Sequence, residues 1–319
     1  MESVEAKEFP IEEEYKKNHG VTPEDVMVLR KWLQTQPHLP ERHITDLDLV
    51  LAYHSCNRST EVTKQTLDLN YTFRTNVNDY FQSRSLDSNM TKMLNNLVII
   101  PLAGRSHDGN AVFYSQLVDT DLSTFSCTEG LKAMLMIIDL WQYEEGTWPA
   151  FEMVANFANY TFGHITKIDL RSIQLMAFYL QEAIPLKLKR IHLINTSPII
   201  DRLIAVMKPF LKSELLNSLH IYSDGIAALH NHIPVQHFPK DVGGEYKTLN
   251  ECKDNILKKL RENATGYSAR LSQDYNSRVY RIIAHSLAVV WHQCDCLDFR
   301  AHCTLDTRNT VLWSASKNK

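Results

Sequence analysis

Residues 191–211 read IHLINTSPIIDRLIAVMKPFL: a short apolar strand, a turn carrying Asn195 and Pro198, then an oily helix that stops at a proline. In the helical part Ile199, Ile200, Leu203, Ile204, Met207, Phe210 and Leu211 share one broad face, with Asp201, Arg202 and Lys208 off it. Parallel strands need a crossover and a helix is the usual one, so strand followed by helix implies a parallel or mixed sheet. Periodicity alone makes this helix a crossover packed on that sheet. The same face could instead cover a cavity, because apolar ligand sites are concave and mostly hydrophobic and a Met-bearing helix adapts to variable contents. Sequence pattern does not separate the two.

Working outward, the alternation continues. Strands are expected at 96–100 (NLVII), 111–117 (AVFYSQL), 151–158 (FEMVANFA), 190–195 (RIHLIN) and 218–223 (SLHIYS), with helices at 128–143, 169–183 and 198–211. The turn SHDGN at 106–110 suggests that the first two strands form an antiparallel pair. A helix at 248–263 follows PKDVGGEY and closes the domain. The N-terminal third is helical instead. Thr22 caps a helix with Pro23 at its first position and Val26, Leu29 and Leu33 along one face. A second helix, capped by Thr45 or Asp46, carries Leu47, Val50, Leu51 and His54, and a third covers 59–74. The expected organisation is an acidic arm (1–20), a small all-helical module (21–90), an α/β domain (91–262) and a weakly ordered extension (263–319).

Composition narrows the function. The net charge of −3 offers no bulk attraction to nucleic acid, so none is expected as a partner. The first residues lack a secretory pattern and no run approaches the roughly 18–20 apolar residues of a membrane span, which points to a cytoplasmic protein. Cys56, Cys127, Cys252, Cys294, Cys296 and Cys303 form no dense framework and read as free thiols. His292, Cys294, Cys296, His302 and Cys303 are soft ligands, yet their C-x-C then H-C spacing matches no usual zinc site, so no metal is expected. No G-x-G-x-x-G follows a strand, and P-loop, G-x-S-x-G and H-E-x-x-H motifs are absent. Neither an enzyme nor a cofactor is expected. His192 reads as a structural histidine that bonds a neighbouring segment.

The run IPLKLKRIHLINTSPIIDRLIAVMKPFLKSELLNSLHIYSD (184–224) followed by LHNHIPVQHFPKDVGG (229–244) resembles the CRAL-TRIO (Sec14-like) lipid-binding family. The likeness is strongest to the branch of α-tocopherol transfer protein, retinaldehyde-binding protein and clavesin. It rests on the proline and basic pair before the strand, then IHLIN, KPFL, LH and the closing GG, and it extends over TDLDLVLAYHSC and GRSHDGNAVFYSQL. The resemblance implies a CRAL-TRIO sandwich: a mostly parallel sheet of five strands flanked by helices and preceded by the helical module. It also implies an apolar pocket floored by the sheet, with residues 198–211 as a mobile lid.

On the elements that enclose the family's cavity, the apolar residues are Leu131, Met134, Leu135, Ile138, Phe151, Val154, Met176, Tyr179, Leu180, Ile191, Ile200, Leu203, Ile204 and Met207. The lid face is Ile199, Ile200, Leu203, Ile204, Met207, Phe210 and Leu211. The implied function is a monomeric carrier of a lipid-like molecule such as tocopherol, a retinoid or a carotenoid, meeting membranes transiently. The rival reading is a regulatory module that keeps the fold and binds a protein partner or a phosphoinositide membrane.

Three departures modify these expectations. Where the family strand carries an acidic D-x-x-G element, this chain has Asn156 and Asn159, so the local turn is expected to differ. Where tocopherol-type relatives place serines on the pocket helix, Met134 and Ile138 make the pocket less polar. Of the basic cleft that holds phosphoinositides in some relatives, Lys187 and Lys189 match the first half, but Glu214 and Ser218 occupy the second, with Lys208 and Lys212 nearby. A phosphate needs several converging donors, so a solvated lysine face is the simpler reading.

Overall fold

Alternation along the strands builds one five-stranded sheet. In the computed structural model, which describes residues 7–17 and 19–263, the strands are β1 (Leu97–Pro101), β2 (Ala111–Leu117), β3 (Phe151–Asn156), β4 (Leu188–Ile194) and β5 (Leu219–Ile221). They lie in the order β1-β2-β3-β4-β5. The β1–β2 pair is antiparallel, turned at Gly109 with φ +78°, and every later neighbour is parallel. The zinc-ligand candidates and the C-terminal extension lie outside the described residues.

The helical module comprises α1 (Ile11–Tyr15), α2 (Pro23–Leu33), α3 (Asp46–Ser55), α4 (Thr60–Asn76), α5 (Asn78–Phe81) and α6 (Ser88–Asn96). Thr22 and Asp25 form a capping box on α2, and Thr45 and Asp48 repeat it on α3; each cap is worth about 1 kcal/mol. Val26, Leu29, Leu33, Leu49, Val50 and Leu67 pack into a core of their own. Within the acidic arm, α1 is pinned by its Glu14. Glu14 is fully buried, accepts the Thr147 backbone N–H at 3.2 Å and pairs with Lys17 at 2.8 Å.

Between the strands run α7 (Cys127–Glu145), α8 (Phe162–Thr166), α9 (Leu170–Phe178), α10 (Pro198–Met207), α11 (Ser213–Asn217) and the final α12 (Leu249–Asn263). The expected helix at 169–183 is α9 plus a π turn, Tyr179–Ala183, and that at 198–211 is α10 plus a 3-10 turn, Lys208–Phe210. Pro209, which has no N–H to donate, sits in that 3-10 turn where the α-helix stops. The shorter α5, α6, α8 and α11 were not expected, because four to nine residues show little periodicity.

The two faces of the sheet are packed differently. Leu97, Ile99, Ala111, Phe113, Leu117 and Phe151 meet α7. Val98, Ile100, Val112, Tyr114, Val154 and Ile194 meet Ile226, Leu229, Ile233 and Phe238 of the segment after β5. Fully burying such aliphatic side chains is worth about 1.5–3 kcal/mol each, so both layers hold the sheet. The closing GG has a steric cause: Gly243 adopts φ +96°, and a Cβ on Gly244 would lie 2.0 Å from the Phe238 carbonyl oxygen.

Candidate ligand-binding site

The pleat decides which residues can share a compartment. On β3, Phe151, Met153 and Ala155 point to the helix-covered face, and Glu152, Val154 and Asn156 to the other. Val154 therefore lies across the sheet from Phe151 and cannot line a site with it. The expectation that paired them overlooked the period of two, a signal present in the sequence. By register Ile191 and Leu193 share the face of Met153 and Ala155.

Coverage of that face is uneven. The other side of the central strand is closed, with Glu152, Val154 and Asn156 all buried, whereas Met153 and Ala155 keep part of their surface open. Leu131, Leu180 and Ile191 are likewise partly open around them. Met134, Leu135, Ile138, Phe151 and Met176 are buried in the same core. Tyr179 serves a different purpose: its ring stacks on Phe73 at 5.0 Å, and its hydroxyl accepts from Asn70 and Arg74 at 3.2 Å each. That residue fastens the helical module to the sheet domain. Met153 and Ala155 were missed as candidates, although their alternation with Phe151 marks them.

The segment expected as a lid does not lie flat on the sheet. The main neighbours of α10 are α8, α9 and its own 3-10 turn. Ile200 and Leu203 are buried, Ile204, Met207, Phe210 and Leu211 are partly buried, and the side chain of Ile199 lies outside the described residues. Among the described residues, Ile200 and Leu203 belong to neither of the two sheet cores. Both ends of the segment are tied. At the start, Thr196 bonds the Tyr222 carbonyl at 2.9 Å through Oγ1. At the end, the Gln181 amide donates to the Phe210 carbonyl at 3.0 Å and accepts from the Lys212 N–H at 2.5 Å, and Lys212 pairs with Glu182.

Three of the four candidate lysines are held by protein groups. Lys187 bonds Asn57 at 2.6 Å, Lys189 pairs with Asp108 at 2.8 Å, and Lys212 pairs with Glu182, while Lys208 is exposed. A phosphate would have to displace the Asn57 amide and two carboxylates to recruit them.

The far face carries a buried polar network instead. Glu152 accepts from Asn110 at 2.6 Å and Arg190 at 3.0 Å and bonds His192 at 3.1 Å. Burial works to raise its carboxyl, but the His192 and Asn110 bonds and the Arg190 charge outweigh burial and hold it at about 2. Asn156 donates to the Tyr114 hydroxyl at 2.9 Å and accepts from the Ala158 N–H at 3.0 Å, and Asn159 closes the turn on the Leu117 and Val118 carbonyls. The asparagines thus supply an amide-built turn. A cavity between α3, Trp148 and Leu186 has about 10 Å³ of free volume, room for at most one water and none for a lipid. Among the described residues no helix is long and apolar enough to cross a membrane.

A sheet of this order, one face carrying α7 and the other closed by a looped segment, preceded by capped helices, defines a class of two-layer α/β domain. Residues 95–244 match the CRAL/TRIO domain, and residues 19–91 match the Pinta-like UBA domain. Residues 95–244 thus carry a CRAL/TRIO domain, the domain of a family whose members bind lipophilic ligands and transfer them. Alpha-tocopherol transfer protein-like from Mus musculus is 24% identical over 136 residues, 42% of this chain and 40% of its own. Clavesin-2 from Mus musculus is 24% identical over 144 residues, 45% of this chain and 44% of its own. The match thus spans less than half the length of either relative. A crystal structure of Sfh5 aligns with a TM-score of 0.44 at 13% identity, covering 68% of this chain and 81% of that one.

Proposed function

We propose that this chain is a carrier. It takes up one hydrophobic small molecule between the helix-side face of the sheet and helices α7, α9 and α10, and exchanges it at membranes without covalent chemistry. The observation that carries this reading is the uneven coverage of β3: Met153 and Ala155 stay partly open at the middle of a sheet whose other face is sealed. A central strand left open on one side is a cost unless something apolar covers it, since burial is worth roughly 25 cal/mol per Å². In this reading Leu131, Met134, Met176, Leu180 and Ile191 surround the ligand and Ile200, Leu203, Ile204 and Met207 close over it.

Membrane exchange draws support from the rim. Phe162 of α8, Leu170 of α9 and Val206 of α10 are 53%, 50% and 50% exposed, on three helices that pack together. Large apolar side chains kept in water at the edge of a movable helix suit insertion into a bilayer surface.

The test is to extract the purified protein with organic solvent and identify the lipid by mass spectrometry, then measure transfer between vesicles. A stoichiometric isoprenoid or sterol-like molecule is expected, with Leu203→Asp and Met207→Asp abolishing uptake and transfer. An empty extract from protein that also binds no added lipid would favour the regulatory module instead, and unaltered transfer by both variants would remove α10 from the site.

A further inference from the structure

Tyr222, the residue after β5, joins two features of the fold. Its carbonyl accepts the Thr196 backbone N–H at 3.1 Å and the Thr196 hydroxyl at 2.9 Å, and the Asp224 carbonyl accepts the Asn195 N–H at 2.9 Å. The entry to α10 therefore hangs from residues 222–224. The Tyr222 ring lies 6.0 Å from that of His192 and nearly parallel to it. His192 of β4 in turn meets His220 of β5 and His232 of the segment that closes the far face, the three centroids being 5.2, 5.5 and 6.1 Å apart. One residue thus belongs both to the anchor of α10 and to a cluster of three histidines.

The charges around this cluster are already matched. Arg190 of β4 bonds Glu152 of β3 at 3.0 Å and Asp108 of the β1–β2 turn at 2.8 Å, and Lys189 pairs with Asp108 at 2.8 Å, so two cations face two carboxylates. Ionised Glu152 accepts the Nε2–H of His192 at 3.1 Å, which leaves Nδ1 of that ring buried without a partner. The other titratable neighbours are the Tyr222 phenol, whose pKa burial raises, and exposed His107 and His230. His107 donates its backbone N–H to the His232 carbonyl at 2.8 Å, and its ring bonds the His230 carbonyl at 3.0 Å. Protons added to the three rings therefore find no carboxylate left to pair with, and like charges this close repel. Burial, and next the charges of His192 and Arg190, lowers the pKa of His220 and of His232 in keeping with that geometry. The element least able to resist is β5, a three-residue edge strand paired with β4 alone.

We propose that His192, His220 and His232 form an acid-sensitive latch: when they take up protons β5 parts from β4, and Tyr222 carries the entry of α10 away with it, so that the site opens and the cargo leaves. This deepens the carrier reading and rests on it. Histidine clusters that charge together are a general means of switching a packed interface. An anionic membrane supplies the acid, since a surface potential of about −30 mV concentrates protons about threefold there. Release is then triggered where the cargo is to be delivered.

The test uses the full chain loaded with diphenylhexatriene, a fluorescent hydrocarbon that accepts energy from Trp141 and Trp148 of the helix-side core. Loss of that energy transfer on mixing with excess phosphatidylcholine vesicles, which carry no net charge, gives the release rate. From about pH 7.5 to about pH 5.5 the wild-type rate is expected to rise by about fivefold or more, the lower end of the coupling usual between two linked sites. The double variant His220→Gln, His232→Gln should release as wild type does at the higher pH and lose most of the rise, and urea midpoints at both pH values check that each protein is folded. A flat wild-type rate, a rise of the same size in the double variant, or a wild-type protein that is already unfolded at the lower pH overturns the latch and leaves the carrier reading standing. Absence of any diphenylhexatriene binding at the higher pH overturns both.

Discussion

Glu152 shows how much depends on one buried carboxylate. It is sealed on the far face of the sheet, held at about 2 by three hydrogen-bonding side chains, and joined there by His192, whose ring lies 5.5 Å from His220 and 5.2 Å from His232. Desolvation lowers the pKa of His220 and His232, and of His54 in α3. In each case the unfolded chain takes up a proton that the folded protein refuses, so stability is present above the unfolded pKa and lost below it. Urea melts are expected to show stability falling as pH drops below about 6.5, as the histidines charge in the unfolded chain, and again between about 4.5 and about 2, where folded Glu152, like folded Asp139, resists protonation. A midpoint that stays flat from pH 7 to pH 3 would show that these groups are not the ones coupled to folding. Glu152→Ala, which leaves His192 and Asn110 buried without their acceptor while Arg190 keeps Asp108, should cost about 1–3 kcal/mol in the same melts. His192 was legible as a structural residue from its place in IHLIN, but its partner Glu152, forty residues earlier in the chain, was not.

Helix α10 is the crossover that the carrier reading requires to move. Its oily face was readable from the 3.6-residue period, and its stop from Pro209. Its seat on α8 and α9 was not readable, since periodicity records that a face is buried and not by what. The C-terminal end hangs from Gln181 in the π turn, and such turns are frequent at functional sites. Gln181→Ala removes both bonds at that end. If the closed position of α10 limits exchange, vesicle-to-vesicle transfer should accelerate by about three- to tenfold, the range expected for one or two lost hydrogen bonds, with little change in thermal midpoint. Slower or identical transfer would place the hinge elsewhere.

Between the helical module and the sheet domain lies a charged junction. Asp139 of α7 accepts both guanidinium nitrogens of Arg74 at 2.7 and 2.9 Å and one of Arg84 at 2.6 Å, with all three side chains nearly excluded from water. Burial opposes the Asp139 charge, but the two arginines prevail and hold its carboxyl at about 2. Asp139→Ala leaves two buried cations facing each other and should lower unfolding free energy by about 3–5 kcal/mol, seen as a drop in urea midpoint; a loss below about 1 kcal/mol would mean that water reaches the junction. The five strands, the longer helices between them, the Thr22 cap and the antiparallel first pair were legible in the amino-acid sequence, because caps, turns and the periods of helix and strand are properties of residues close together in the chain, and the resemblance to the CRAL-TRIO family was legible in its motifs. Tertiary structure alone decided that the helix-side face of β3 stays half covered, that Tyr179 fastens the module, and that Lys187, Lys189 and Lys212 are already engaged. Those outcomes depend on which distant segments come to rest against a given side chain, and local spacing carries no record of that.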